Sequence, residues 1–248
     1  MNKLSHFIKL PKRKINRLLN RKSINNKVFC IGLHKTGTTT LGKVAEKYGF
    51  KSTHSTDWNT DENQLNAFEF FSDGGSHFDR QHEFNYEQLF YKYPNSRFVL
   101  QTRATKKWII SKLKHAGWNS KTIIEKDNPE KITHDLWKYK SLLTIKKFIE
   151  HKESYEQKVI NFFKQNDPSR LIIIDITDKD TQEEEYKRLI NYLDLKTIIP
   201  NKLPHSNKAG KKDTLASNVM IFIEDMISQT HSTAKMKEIL NSTQRKNH

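Results

Sequence analysis

The segment Gly32-Leu33-His34-Lys35-Thr36-Gly37-Thr38-Thr39-Thr40 carries the residue types best suited to hold an anion. Two glycines flank four residues, so backbone N–H groups can turn inward toward one point. Thr36, Thr38, Thr39 and Thr40 add hydroxyl donors, and Lys35 adds a point charge. Before the loop, Val28-Phe29-Cys30-Ile31-Gly32 reads as a short buried strand; after it, Leu41 to Tyr48 reads as a helix closed by Gly49. The N-terminus of that helix faces the same anion. This is not the nucleoside-triphosphatase loop, which ends in Gly-Lys-Ser/Thr with lysine on the terminal phosphates and the hydroxyl on magnesium. Here Thr38 follows Gly37, and the lysine comes two residues before that glycine. It therefore meets the anion from a different side. Nothing in the pattern calls for a metal.

A second cation stands at the end of another strand. Arg97-Phe98-Val99-Leu100-Gln101-Thr102 is apolar and β-rich, and Arg103 follows it. Ser111 comes eight residues later on a helix spanning about Lys106 to Leu113, with Trp108 between. Arginine offers a charge-assisted fork, and serine a hydroxyl from one helix turn.

Together these residues resemble the P-loop sulfotransferases. His34-Lys35-Thr36-Gly37-Thr38-Thr39 looks like their 5′-phosphosulfate loop, commonly Pro-Lys-Ser-Gly-Thr-Thr, with His34 in place of the proline. The resemblance implies a donor, 3′-phosphoadenylyl sulfate (PAPS), whose sulfuryl group passes to a hydroxyl, with no metal. It implies that His34 to Thr40 cradle the donor, that Lys35 steadies the leaving phosphate, and that Arg103 and Ser111 read the 3′-phosphate. Ala104 departs from the polar residue common after that arginine. Tyr93-Pro94-Asn95-Ser96-Arg97-Phe98, Arg170 to Asp175, and Leu203-Pro204-His205-Ser206-Asn207 resemble the bacterial carbohydrate-type branch. That branch implies a carbohydrate or glycolipid acceptor. The likeness spans about residues 28–208. Asn207 to Lys212 is either a loop over the nucleotide or a lysine-rich solvated turn.

Transfer to a hydroxyl needs a group to take its proton. Related enzymes place it about two dozen residues before the 3′-phosphate arginine, in His77-Phe78-Asp79-Arg80-Gln81-His82-Glu83. Asp79 has the branch's spacing from Tyr93, although Gln81 stands where its proline would be. His82 and His77 are rivals, and Asp79 could equally cap a strand. His54 is either an acceptor contact or an ordinary buried histidine, and Cys30 reads as core.

The elements that must position these groups read as an α/β domain. Further short apolar strands fall near Lys51–His54 and at Leu171 to Asp175. Helices fall at Leu65–Phe71, at Tyr86–Tyr93 stopping at Pro94, over 131–164, and from a capping box at Thr181 to about Leu193. Strands apolar on both faces and separated by helices imply a single domain: a mostly parallel sheet of about 4–5 strands flanked by helices, of P-loop type. Ligands of such sheets sit beyond the strands' carboxyl ends.

Composition narrows the class. The 248 residues include 44 Lys/Arg against 28 Asp/Glu, a net charge of +16 that favours phosphorylated or acidic partners. Thirty-five of those cations are lysines, a bias that base composition of the genome would also produce. One cysteine excludes a disulfide scaffold or a multi-cysteine metal site. No secretory signal is evident, which makes the cytoplasm the default location. Residues 1–26 read as a basic amphipathic arm before a domain at 27–248. Leu4, Phe7, Ile8, Ile15, Leu18 and Leu19 fall at helical spacing among cations, the pattern of peripheral contact with an anionic inner membrane face. Two rivals remain, a P-loop kinase or other nucleotide-binding protein and a non-enzymatic basic nucleic-acid-binding module. Missing Gly-Lys-Ser/Thr opposes the first. No recognition motif supports the second, and residues 57–91 hold eight acids against one arginine, so nucleic acid is not an expected partner.

Overall fold

A computed structural model of the chain describes residues 11–73, 85–134, 136–197 and 214–229. The elements are α1 (Lys12–Leu19), α2 (Arg21–Ile24), β1 (Val28–Cys30), α3 (Thr38–Lys47), β2 (Ser52–His54), α4 (Glu62–Ala67), β3 (Phe70–Ser72), α5 (Tyr86–Lys92), β4 (Arg97–Gln101), α6 (Thr105–His115), α7 (Pro129–His134), α8 (Leu142–Asn166), β5 (Leu171–Ile174), α9 (Gln182–Tyr192) and α10 (217–229). The chain divides into two compact units, Met1–Arg103 with Ser154–Lys208, and Ala104–Glu153 with Ala209–His248.

The first unit holds one five-stranded sheet in the order β2-β3-β1-β4-β5, every pair parallel. Its strands alternate between two cores. Val28, Cys30, Phe70, Val99, Ile172 and Ile174 pack with Leu41, Val44 and Ala45 of α3 and with Tyr186, Leu189 and Ile190 of α9. Phe29, Ile31, Phe71, Phe98 and Leu100 pack with Leu65, Leu89, Phe90, Val159 and Phe163. Each fully buried Phe or Leu stabilises the unit by roughly 1.5–3 kcal/mol, so neither face can be left uncovered. After β3 the chain crosses β1 to add β4, which puts β1 at the switch point of the sheet.

The second unit is helical among its described residues. Trp108, Ile109 and Leu113 of α6 are buried, and Lys112 lies over the rings of Trp137 and Phe148 at 4.2 and 4.0 Å. No described helix is long and apolar enough to cross a membrane.

Three local expectations change. Leu65–Phe71 is not one helix: α4 ends at Ala67, and Phe70-Phe71-Ser72 is the strand β3. Phe70 and Phe71 face opposite cores, and such a run has no periodicity to separate strand from helix. The helical pattern over 131–164 is two helices, α7 and α8. Thr181 makes no side-chain capping bond to α9, whereas Asn85 and Gln88 form a full capping box at α5.

Candidate active site

β1 runs into the loop beneath a reciprocal pair of bonds: Gly32 N–H donates to Gln101 Oε1 and Gln101 Nε2 donates to Gly32 O, both at 3.1 Å. A Cβ on Gly32 would stand 1.9 Å from Gln101 O, so the approach of β4 to the loop requires glycine. Tyr155 Oη donates to Ile31 O at 2.6 Å and fixes the same edge. Inside the loop, Thr36 is fully buried and its hydroxyl donates to Leu33 O. Gly37 takes φ +96° and caps α3, with Ile176 and Thr177 against it. Among the described residues no side chain caps α3, which leaves its first N–H groups without an intrahelical partner.

Lys35 has φ +68°, a conformation that costs a non-glycine residue about 1–3 kcal/mol. Arg103 Nη1, at the end of β4, donates to the carbonyl of Lys35 at 3.2 Å. Arg103 Nε is buried and has no hydrogen-bond partner among the described residues. Burial lowers the pKa of both cations; Asp73 opposes the shift at Lys35 and Asp175 opposes it at Arg103. The fold therefore holds two partly desolvated positive charges at one edge, and among the described residues no carboxylate is bonded to either. Bound anion would relieve that cost. Asp175, just after β5, accepts from the Thr177 N–H and hydroxyl at 2.8 and 2.6 Å.

A polar cluster lies across the loop from Arg103's strand, where β2 and β3 end. Asp73, just after β3, takes φ +68° and accepts from Thr38 Oγ1 at 3.0 Å. His54 Nδ1 shares a hydrogen bond with Ser72 Oγ, and its Nε2 shares one with Thr39 Oγ1, each at 3.1 Å. Asp73 Oδ2 lies 3.8 Å from His54 Nε2. Two hydroxyls of the loop thus tie this histidine and this carboxylate to the anion cradle. A histidine and a carboxylate, two groups able to accept a proton, stand beside the loop.

Of the residues singled out in the sequence, His34, Lys35, Thr36, Gly37, Thr38, Thr39, Thr40 and Arg103 all belong to the first unit. Lys35 and Arg103 meet directly, and Thr38 and Thr39 bridge to the second cluster. Ser111 lies half-buried on α6 in the second unit. Asp79, His82 and His77 lie outside the described residues, as do the Leu203 to Asn207 turn and the Asn207–Lys212 segment. Asp73 was missed. Reading Phe70-Phe71 as helix hid the strand end at which it stands, although Gly74-Gly75 directly after it is a strand-stop signal.

Comparison with known proteins adds one finding. A family model described as a sulfotransferase domain matches residues 27–212, well over half of the chain, including the loop, Asp73 and Arg103. No curated protein matches the chain.

Proposed function

The chain belongs to the family of sulfotransferase domains, and on that premise we propose that it moves a sulfuryl group from PAPS to a hydroxyl of a carbohydrate or glycolipid. One observation carries the donor assignment: Arg103, half-buried with an unpartnered Nε, is anchored on the carbonyl of the loop lysine. A nucleotide with phosphates at both ends answers both cations at once. When bound, PAPS supplies the activated sulfuryl group and leaves as adenosine 3′,5′-bisphosphate.

The chain's own residues divide the remaining work. Backbone N–H groups of the loop and the first turn of α3 bind the 5′ end, helped by the threonine hydroxyls. Lys35 meets the negative charge that builds as the phosphate departs, a contact strongest in the transition state. Arg103 takes the 3′-phosphate. The acceptor's hydroxyl proton goes to the His54–Asp73 pair. The bonds from Thr38 and Thr39 support this pair; Asp79 and His82, which the sequence pattern suggests, lie outside the described residues.

Radiolabelled PAPS offered with a panel of oligosaccharides and glycolipids tests the reading. Label should reach an acceptor, and Lys35→Ala should stop it. Phosphoryl transfer or hydrolysis from ATP with magnesium, and none from PAPS, would instead make the protein a kinase-like enzyme. With a working acceptor, Asp73→Asn should lower turnover by about 10²–10⁴-fold. A larger loss in Asp79→Asn would move the proton to Asp79.

A further inference from the structure

The first two helices carry cations for which the fold has no use. Their inner side is fixed by specific bonds. Asn16 is fully buried and its Nδ2 donates to Lys47 O at 2.8 Å and Thr197 Oγ1 at 2.9 Å. Asn20 is buried too; its Nδ2 donates to Tyr48 O at 3.1 Å and Lys196 O at 2.7 Å, and its Oδ1 accepts from Lys196 N at 2.6 Å. Arg17 is forked onto Glu69 at 2.6 and 2.8 Å. These contacts set the rotation of α1, so the residues turned outward are determined.

That outward side is both basic and apolar. Lys12, Lys14, Arg21 and Lys22 are exposed, and from Pro11 to Asn26 there is no acidic residue. None of the four makes an ion pair among the described residues. Between these cations, Leu18 is 51% and Leu19 46% exposed. Lys14, Arg17, Leu18, Arg21, Ile24 and Asn25 line a cavity of about 470 Å³. Arg17 is committed to Glu69, so Lys14 and Arg21 are the cavity's available charges. Cations alone would suit any polyanion. Paired exposed leucines beside them suit one that also offers an apolar layer, namely a bilayer with anionic headgroups.

We propose that α1 and α2 form a docking surface for an anionic phospholipid bilayer. Leu18 and Leu19 enter the acyl boundary, while Lys12, Lys14, Arg21 and Lys22 meet headgroup phosphates. The segment differs from a free basic tail in being rigid: its buried asparagines hold it to the first unit, so docking would orient the whole unit on the membrane. None of the docking residues belongs to the candidate active site, and the inference stands whether or not the donor is PAPS.

Co-sedimentation of the full chain with phosphatidylcholine vesicles, with and without about one third phosphatidylglycerol, tests this. Sedimentation should require phosphatidylglycerol and weaken as salt rises. Lys14→Glu/Arg21→Glu and Leu18→Asp/Leu19→Asp should each weaken it by at least about tenfold, leaving the thermal midpoint and adenosine 3′,5′-bisphosphate binding unchanged. If either pair lowers the midpoint, Lys14→Gln/Arg21→Gln and Leu18→Ser/Leu19→Ser serve in their place. Parent-like sedimentation by either folded pair would overturn the proposal. So would equal sedimentation with neutral vesicles, loss of binding only on deletion of residues 1–10, or displacement of the protein from vesicles by an oligonucleotide.

Discussion

Arg17 and Arg103 belong to the same unit and are treated oppositely by it. Arg17 donates both ends of its fork to Glu69 and a further bond to Gly49 O at 2.8 Å. Its pKa is raised by that carboxylate against a smaller effect of burial. Arg103 has, among the described residues, one bond to a backbone carbonyl and a buried Nε without a partner, and its pKa is lowered by burial. The first arginine closes an internal network that seats α1. The second, just past a central strand, is the charge we propose is kept for a ligand. A fold keeps such a charge, at a cost to stability, where a ligand later offsets the cost. Lys112, stacked among the rings of Trp108, Trp137 and Phe148, makes the same point in the second unit: a buried cation in a structural setting is surrounded by groups that answer it.

The sharpest way to break the comparison is to remove each kind of cation and measure turnover. Lys35→Ala should lower sulfuryl transfer by about 10²–10³-fold, the usual loss when one preorganised charge donor is removed. Donor affinity should fall much less, because the contact strengthens as charge develops on the leaving phosphate. Arg17→Ala should leave turnover within about twofold, since the residue touches no part of the site. Equal losses in the two variants would mean that Lys35 too is structural.

Stability should show the reverse pattern, on a smaller scale. Arg17→Ala removes a two-bond pair, and its side chain is 40% exposed, so about 1 kcal/mol is expected from denaturant titration. The acid limb identifies the pair. Burial pushes the Glu69 carboxyl up, but its bonds from Arg17 and from Lys51 N–H outweigh this and hold it below its ordinary 4.5. A carboxylate lowered in the folded state stabilises above its unfolded value. That stability is lost as pH falls from about 4.5 through the lowered folded value. Arg17→Ala should flatten this part of the stability profile. An unchanged acid limb would detach Glu69 from Arg17.

How much of this was readable beforehand depends on how local each signal is. The loop was legible because two glycines, a lysine and four threonines follow a strand in one continuous segment that runs into a helix. Arg103 was legible because it stands two positions past the five strand residues Arg97–Gln101. The His54–Asp73 pair was not. Its members are nineteen positions apart, and only the parallel register that sets His54 against Ser72 brings them together. Misreading β3 as the end of a helix removed the clue that Asp73 closes a strand. The inward side of α1 was equally hidden. An asparagine among lysines looks solvated, and its burial is visible only once the segment at Lys196–Thr197 reaches it.

A subtler effect follows from the lowered pKa of Lys35, which arises from burial and is only partly opposed by Asp73. The ammonium form binds an anion, and the proton is lost at a pH below the ordinary lysine value of 10.5. Affinity for adenosine 3′,5′-bisphosphate should therefore begin to fall on the alkaline side before an ordinary lysine would titrate. Lys35→Ala should show no such decline. A flat profile in the parent protein would place Lys35 away from the bound phosphate.

The central claim is that Arg103 is held for a 3′-phosphate, and calorimetry on two ligands tests it most directly. Adenosine 3′,5′-bisphosphate and adenosine 5′-monophosphate differ only in that group. The parent protein should prefer the bisphosphate, and Arg103→Ala should weaken it by roughly 1.5–3 kcal/mol while leaving the monophosphate nearly unchanged. Equal weakening of both ligands, or no preference in the parent protein, would show that Arg103 serves the fold and not the donor.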